Sequence, residues 1–289
     1  MVQGYAAIMD MQKKQTISEE VDGLRLDKVL SAVLDGESLR FRRRLCDDGR
    51  VLVNGRQRKP GYKVHAGQQL EIRAGSEAMS GTDLGVSVVH RNEAFAAVFK
   101  PGCVHSAAIA GREIPCVEGV LPELFPQNEP RLLNRLDYLT SGLVLVALNG
   151  DAENEYHTLE DGGYLRKYYC AEVQGRLDGV ISVRHALDTA DRKTTRVLPE
   201  LSDDPYRWTD VTALSHDHER DTTLVQCLIM KGARHQIRAH LASLDHPIVG
   251  DSLYGADDAS FLHLHHERFE LPGFSASAPC PWGPQTEIS

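Results

Sequence analysis

Six consecutive apolar residues, Leu143 to Leu148 (LVLVAL), constrain this chain more than any other segment. A run of that kind reads as a β-strand covered on both faces. No apolar run in the chain approaches the ~20 residues that a membrane-spanning helix needs. Asp137 stands just ahead of the run, in a turn with Thr140, Ser141 and Gly142. Taken alone, an aspartate there would cap the turn through its carboxylate. The turn and the strand belong to one long string, Arg135-Leu136-Asp137-Tyr138-Leu139-Thr140-Ser141-Gly142-Leu143.

The chain has 289 residues, room for one large domain or for a large and a small one. It is 42% hydrophobic and 25% charged, the composition of a globular protein. Residues 1–15 lack a basic region followed by an apolar core, so they are not a secretory signal. They read as a short flexible lead-in. The six cysteines form no C-x-x-C pair, which points away from a zinc site or a disulfide framework and towards a reducing cytoplasm.

A net charge of −9 by itself argues against a nucleic-acid partner. The distribution says otherwise. Residues 21–73 hold twelve Lys/Arg and seven Asp/Glu, a local +5 that leaves −14 on the remainder. Within this basic stretch Leu26, Val29, Leu30 and Val33 repeat at helical spacing. A second helix begins near Ser38 and stops before Gly49, with Phe41 and Leu45 facing inward. Arg40, Arg42, Arg43 and Arg44 cannot all be buried on it. A short strand then ends in Asn54-Gly55, the strongest hairpin signal. Arg56, Arg58, Lys59 and Lys63 follow, and Leu70-Glu71-Ile72 closes the unit as a strand. Isolated arginine runs usually coat a solvated helix face. Clustered on a compact module they bind phosphates.

Gly75 to Gly85 is small and polar, and reads as a flexible linker. Beyond it, Val86–His90 and Phe95–Phe99 form a β-hairpin, and Lys100-Pro101 ends the second strand. Pro115 to Pro130 reads as a surface loop. Lys167-Tyr168-Tyr169-Cys170-Ala171 is a strand that alternates its two tyrosines between faces. Alone, Tyr169 would be a core aromatic, and Arg238 in Gln236-Ile237-Arg238 would make a surface ion pair. His235 and His240, and later His263, His265 and His266, do not match metal-binding spacings, so no metal is expected.

Two resemblances join these readings. Residues 20–74, with Arg25-Leu26-Asp27-Lys28, Val51-x-Val53-Asn54-Gly55 and a late Gly67, resemble the small RNA-binding domain of the ribosomal protein S-four type. The Arg135–Leu143 string, the Lys167–Gly175 strand and the segments Gln236-Ile237-Arg238 and His246-Pro247-Ile248-x-Gly250-Asp251 resemble the RluA-type RNA pseudouridine synthase family. The chain departs from that pattern at Asn134, where a histidine usually stands, and at Ala233-Arg234, where the arginine falls one place later. The resemblances imply an α+β protein. A mixed, mainly antiparallel catalytic sheet over residues 86–289 is joined by a linker (75–85) to an RNA-binding domain (18–74), after a flexible 1–17. They imply isomerisation of uridine in RNA to pseudouridine, with Asp137 as the catalytic acid residue, Arg238 as its partner and Tyr169 against the uracil. Arg135 would fill the space left by a flipped-out base. Arg40, Arg42, Arg43, Arg44, Arg56 and Lys59 would contact RNA. No cofactor is implied. Large-subunit ribosomal RNA is the expected substrate, with tRNA, or a non-catalytic ribosome-assembly role, as alternatives. The sequence fixes neither the oligomeric state, a monomer being compatible with it, nor whether Asp137 attacks covalently or abstracts a ribose proton.

Overall fold

The computed structural model describes residues 13–34, 39–47, 51–72, 80–109, 114–191, 193–255 and 261–282. The described residues form two compact units, 13–72 with 108–109 and 114–115, and 80–107 with 116–282.

The smaller unit holds β1 (Lys13–Thr16), α1 (Leu26–Val33), α2 (Leu39–Asp47), β2 (Val51–Val53), β3 (Arg56–Gln57) and β4 (Gln69–Ile72). Its sheet runs β1-β4-β2-β3, antiparallel throughout. Leu26, Val29, Leu30 and Val33 are all buried, as their spacing requires, and pack on Val51, Val53, Leu70 and Ile72. Asn54 and Gly55 both take positive φ, 52° and 72°, the geometry that lets a two-residue turn match the strand twist. Residues 13–16 correct the sequence reading, which placed them in a flexible lead-in. They pair with Gln69–Ile72, and Ile17 beside them is buried. Lys-Lys-Gln-Thr has no apolar alternation, because only the backbone and one neighbouring side chain join the core. Ser38 and Gly49, the expected helix limits, lie outside the described residues.

Asp27 is fully buried in this unit, yet it is charged. Its Oδ2 accepts from Arg25 Nη2 at 3.0 Å and Arg43 Nε at 2.8 Å. The hydrogen bond from Arg25 outweighs the cost of burial, and with Arg43 it lowers the Asp27 pKa from 3.8 to about 2. A depressed carboxylate pKa stabilises the fold above the unfolded value, and that stability is lost as pH falls through the folded one. The contribution is about 2 kcal/mol, present above pH ~4 and gone below pH ~2. In Asp27→Asn the amide protection of Val51–Val53 should fall by about that amount at pH 7 and lose its acid dependence between pH 4 and 2. Hydrogen exchange on the full chain measures both.

The larger unit holds β5 (Ser87–Arg91), β6 (Phe95–Lys100), α3 (Val117–Leu124), β7 (Arg131–Leu132), β8 (Ser141–Ala147), α4 (Gly150–Asp161), β9 (Arg166–Gln174) and β10 (Val180–Val183). Then come β11 (His185–Asp188), β12 (Arg196–Leu201), β13 (Thr209–Asp217), β14 (Thr222–Ile229), α5 (Gln236–Ser243), β15 (Leu264–Leu271) and β16 (Phe274–Ser277). The main sheet runs β10-β13-β14-β9-β15-β8-β6-β5, with β16 beside β15 and β7 beside β8, while β11 and β12 form a separate hairpin. Among the described strands only β15 and β8 pair in parallel, so the sheet is mixed and mainly antiparallel. The apolar run is covered on both faces as expected. Val144, Val146 and Leu148 enter one core with Val98, Leu121, Val225 and Leu241. Leu143, Leu145 and Ala147 enter the other with Phe95, Tyr156 and Phe269.

Two loop readings change. Ser80–Gly85, assigned to a linker, is a hydrogen-bonded turn closed by Val86 N–H donating to Gly81 O at 2.7 Å. Pro115–Pro130 contains α3, which buries Val117, Val120 and Leu121. These positions share one helix face (i, i+3, i+4), and that face outweighs the presence of Pro122.

Candidate active site

Asp137 sits on the turn that leads into β8, and three neighbours hold that turn. Ser106 is buried and clamps the preceding residue: its Oγ donates to Leu136 O and accepts from Leu136 N–H, both at 2.9 Å. The following residue, Tyr138, gives its carbonyl to Cys103 N–H at 2.8 Å. Lys100 is fully buried, and its ammonium donates to Pro101 O (2.9 Å), Val104 O (2.8 Å) and Tyr138 O (3.4 Å). Burial lowers the Lys100 pKa to about 8, and the nearby Asp137 opposes the shift. A lysine in that place serves as a triple donor to loop carbonyls.

The Thr140-Ser141-Gly142-Leu143 segment is tied to β15 from the other side. Ser141 Oγ meets His265 Nδ1 at 2.8 Å, and His265 Nε2 meets Ala278 O at 2.9 Å. A carbonyl can only accept, so Nε2 carries the proton and Ser141 donates to Nδ1. His266 Nδ1 donates to Leu143 O at 2.6 Å. Gly142 has φ 114°, and a Cβ there would overlap the backbone of His266. The motif's glycine is thus required by a close approach of two backbones. Burial depresses the pKa of His266 to about 3, so it is neutral.

Arg238 comes from the first turn of α5. His235 precedes that helix in the left-handed region (φ 53°), and the turn is closed by Ala233 N–H donating to Gln236 Oε1 at 2.9 Å. Gln236 Nε2 in turn donates to Arg207 O at 2.8 Å. The structure brings Arg238 and Asp137 together: Nη1 donates to Asp137 Oδ2 at 3.1 Å. This contact is single. The bidentate fork is made to Asp251, with Nε to Oδ2 and Nη2 to Oδ1, both at 2.8 Å. Asp251 is fully buried and Arg238 is 5% exposed. Burial opposes the Asp251 charge, but the Arg238 hydrogen bonds overcome it and hold the carboxyl below its usual range. Asp251 was not singled out by sequence reasoning. The available signal was that a buried arginine needs a carboxylate, and Asp251 lies in the His246–Asp251 segment. Asp137 Oδ1 accepts no hydrogen bond among the described residues, so this oxygen is open for chemistry.

β9 alternation places Tyr169 inward, 7% exposed, and its ring stacks on His266 (centroids 4.4 Å, 14°). Tyr168 faces the other way, under the Arg268 guanidinium at 3.8 Å. Burial, reinforced by the charge of Asp137, raises the Tyr169 pKa, so the hydroxyl keeps its proton at neutral pH. Arg135 is exposed two residues before the acid.

The two departures have local explanations. Asn134 Oδ1 accepts from Leu145 N–H at 2.6 Å and secures the approach to the turn. Arg234 Nη2 donates to the carbonyls of Thr189, Asp191 and Thr194, gathering the loop between β11 and β12.

In the smaller unit, Arg56 and Lys59 are exposed. Arg43 keeps half its side chain in solvent while pairing with Asp27, and Arg42 is partly buried. The side chains of Arg40 and Arg44 lie outside the described residues.

A family model described as RNA pseudouridylate synthase matches residues 96–243, and the S4 domain model matches residues 24–70. The chain is 30% identical over 260 residues to YlyB, an uncharacterized RNA pseudouridine synthase of Bacillus subtilis, across 83% of this chain and 82% of that one. It is 29% identical over 258 residues to the ribosomal large subunit pseudouridine synthase D of Escherichia coli K12, across 85% of this chain and 77% of that one. Among solved structures, human RNA Pseudouridylate Synthase Domain Containing 1 aligns with a TM-score of 0.57 at 26% identity, covering 69% of this chain and 85% of that one. With the motif matches, the mixed sheet and these relatives in agreement, the chain belongs to the RluA-type RNA pseudouridine synthases, which are isomerases, and carries an RNA-binding S4 domain.

Proposed function

We propose that this protein isomerises uridines of large-subunit ribosomal RNA in the cytoplasm, using Asp137 as the reacting carboxylate on a nucleotide flipped out of its stack. The observation that carries this reading is the asymmetric hold on Asp137. Oδ2 is anchored by Arg238 at 3.1 Å, while Oδ1 is left without a protein partner among the described residues.

The reaction breaks the bond between ribose C1′ and uracil N1, turns the base, and joins C5 to C1′. The C5 proton passes to solvent, N1 takes up one proton, and no redox change occurs. Oδ1 either attacks the sugar or takes a ribose proton, and either role needs an ionised carboxylate held in one orientation. Arg238 supplies the countercharge. Tyr169, stacked on a neutral ring, offers an aromatic edge and a protonated hydroxyl to the uracil. A stacked uridine hides its reacting atoms, so flipping is required. Arg135 is exposed at the right place in the chain for a planar guanidinium to occupy the gap. The basic surface of the S4 domain, with Arg56 and Lys59, would hold phosphates. The ribosomal substrate is supported by the named function of the Escherichia coli relative.

The test is tritium release from RNA labelled at uracil C5, with large-subunit rRNA and tRNA transcripts compared. Release from rRNA alone is expected. Release only from tRNA would redirect the substrate assignment. No release from either, with RNA still bound, would replace catalysis by a binding role in ribosome assembly.

A further inference from the structure

A second chain of polar contacts, besides Arg238, reaches Asp137. Thr195 is buried, and its N–H donates to the Tyr254 hydroxyl oxygen at 2.7 Å. Its position is fixed from the other side as well, because Thr195 Oγ1 donates to Arg234 O at 2.8 Å. Tyr254 Oη also lies 3.0 Å from His235 Nδ1. With the amide already donating to it, the tyrosine has one proton of its own to give. Among the described residues Nδ1 is the acceptor that it meets. If the tyrosine gives that proton to Nδ1, Nδ1 is the bare nitrogen and the imidazole proton sits on Nε2. Nε2 lies 3.7 Å from Asp137 Oδ2, the same oxygen that Arg238 holds.

We infer that His235 and Tyr254 are positioning residues for Asp137: a neutral imidazole, oriented by the tyrosine hydroxyl, directs its Nε2–H at Oδ2 and fixes the rotation of the carboxylate so that Oδ1 faces the ribose. The inference rests on the isomerase reading above. At 3.7 Å the contact is electrostatic. A closure of about 1 Å makes it an ordinary hydrogen bond, and active-site contacts of this kind commonly tighten when substrate fills the site.

The groups facing His235 agree with a neutral ring. Burial lowers its pKa first of all. Asp137 and Asp251 favour the imidazolium, while Arg238 and Arg234 oppose it, and the net direction is down. Tyr254 adds a donor to Nδ1, which a protonated ring could not accept. Its ring also packs under the Arg238 guanidinium, 5.3 Å from the centroid. Removing the hydroxyl alone therefore leaves that packing in place.

The experiment compares the full-length native protein with Tyr254→Phe, His235→Leu and His235→Gln. It measures the single-turnover rate on saturating labelled RNA across pH, the RNA Kd, and thermal unfolding. His235→Leu and His235→Gln carry the same backbone strain at a left-handed position, so their difference isolates the N–H. Tyr254→Phe and His235→Leu should lose roughly 10–100-fold in rate with Kd within about twofold of native. His235→Gln, whose amide N–H can replace Nε2–H, should stay within about fivefold of native. In Tyr254→Phe the acid limb of the pH–rate profile should also move up by about 0.5–1 unit, because Nδ1 is freed to bind a proton. Equal losses in Leu and Gln, native rates in all three, or losses confined to Kd would each overturn the positioning role. A native protein that converts no uridine in any RNA would instead remove the isomerase reading and this inference with it.

Discussion

Asp137→Asn is expected to fold as the native protein does, bind RNA, and release tritium at least about 10³-fold more slowly. The amide keeps the size of the side chain and can still accept from Arg238 through its oxygen. It can neither attack the sugar at a useful rate nor take a proton. The fold should tolerate the change, because Asp137 is about a quarter exposed and its turn is held by Ser106, Cys103 and Lys100 rather than by its own carboxylate. RNA binding and thermal unfolding, measured beside tritium release, separate lost chemistry from lost structure. An Asp137→Asn protein that kept native turnover would remove Asp137 from the mechanism.

Asp251→Asn should act through stability first. The Arg238–Asp251 fork is the more buried of the two ion pairs, with two bonds at 2.8 Å. Neutralising the fully buried carboxylate leaves a guanidinium that cannot return to water, and a broken buried pair of this type costs about 3–5 kcal/mol. The remaining carboxylate in reach is Asp137. The fork should turn onto it and cover Oδ1, so turnover falls by about 10²-fold even where the protein stays folded. Urea unfolding reads the first effect and single-turnover tritium release the second. The double change Asp251→Leu with Arg238→Met should be less destabilising than Asp251→Asn, since it leaves no unpaired charge. Arg238→Lys should impair turnover too, because an ammonium cannot hold both Asp251 oxygens and reach Asp137 in one plane. Native stability in Asp251→Asn would mean that Arg238 is anchored by something other than this pair.

The legible parts of the site are those written as short-range pattern. The 143–148 run announced a strand covered on both faces, and alternation put Tyr168 and Tyr169 on opposite faces, the family resemblance choosing Tyr169. Asn54-Gly55 marked its hairpin, and Leu26 to Val33 marked a buried helix face. Each signal depends on residues within about eight positions, where backbone geometry alone dictates which side chains share a face. β1 escaped notice for the converse reason. Its pairing with β4 uses backbone groups, which every sequence possesses, across more than fifty residues.

By itself, then, the sequence determined most of the strands and helices, β1 and α3 excepted, and through the family resemblance it named Asp137, Tyr169 and Arg238 as candidates for the site. Tertiary structure alone decided how they are coupled. It assigned the Arg238 fork to Asp251 instead of Asp137, placed a buried lysine behind the Asp137 turn, and linked Thr195, Tyr254 and His235 into a chain that ends on Asp137. The physical reason is that a guanidinium offers several donors in fixed directions. Which carboxylate takes the fork is settled only when the chain has brought residues 137 and 251 to within hydrogen-bonding distance of residue 238.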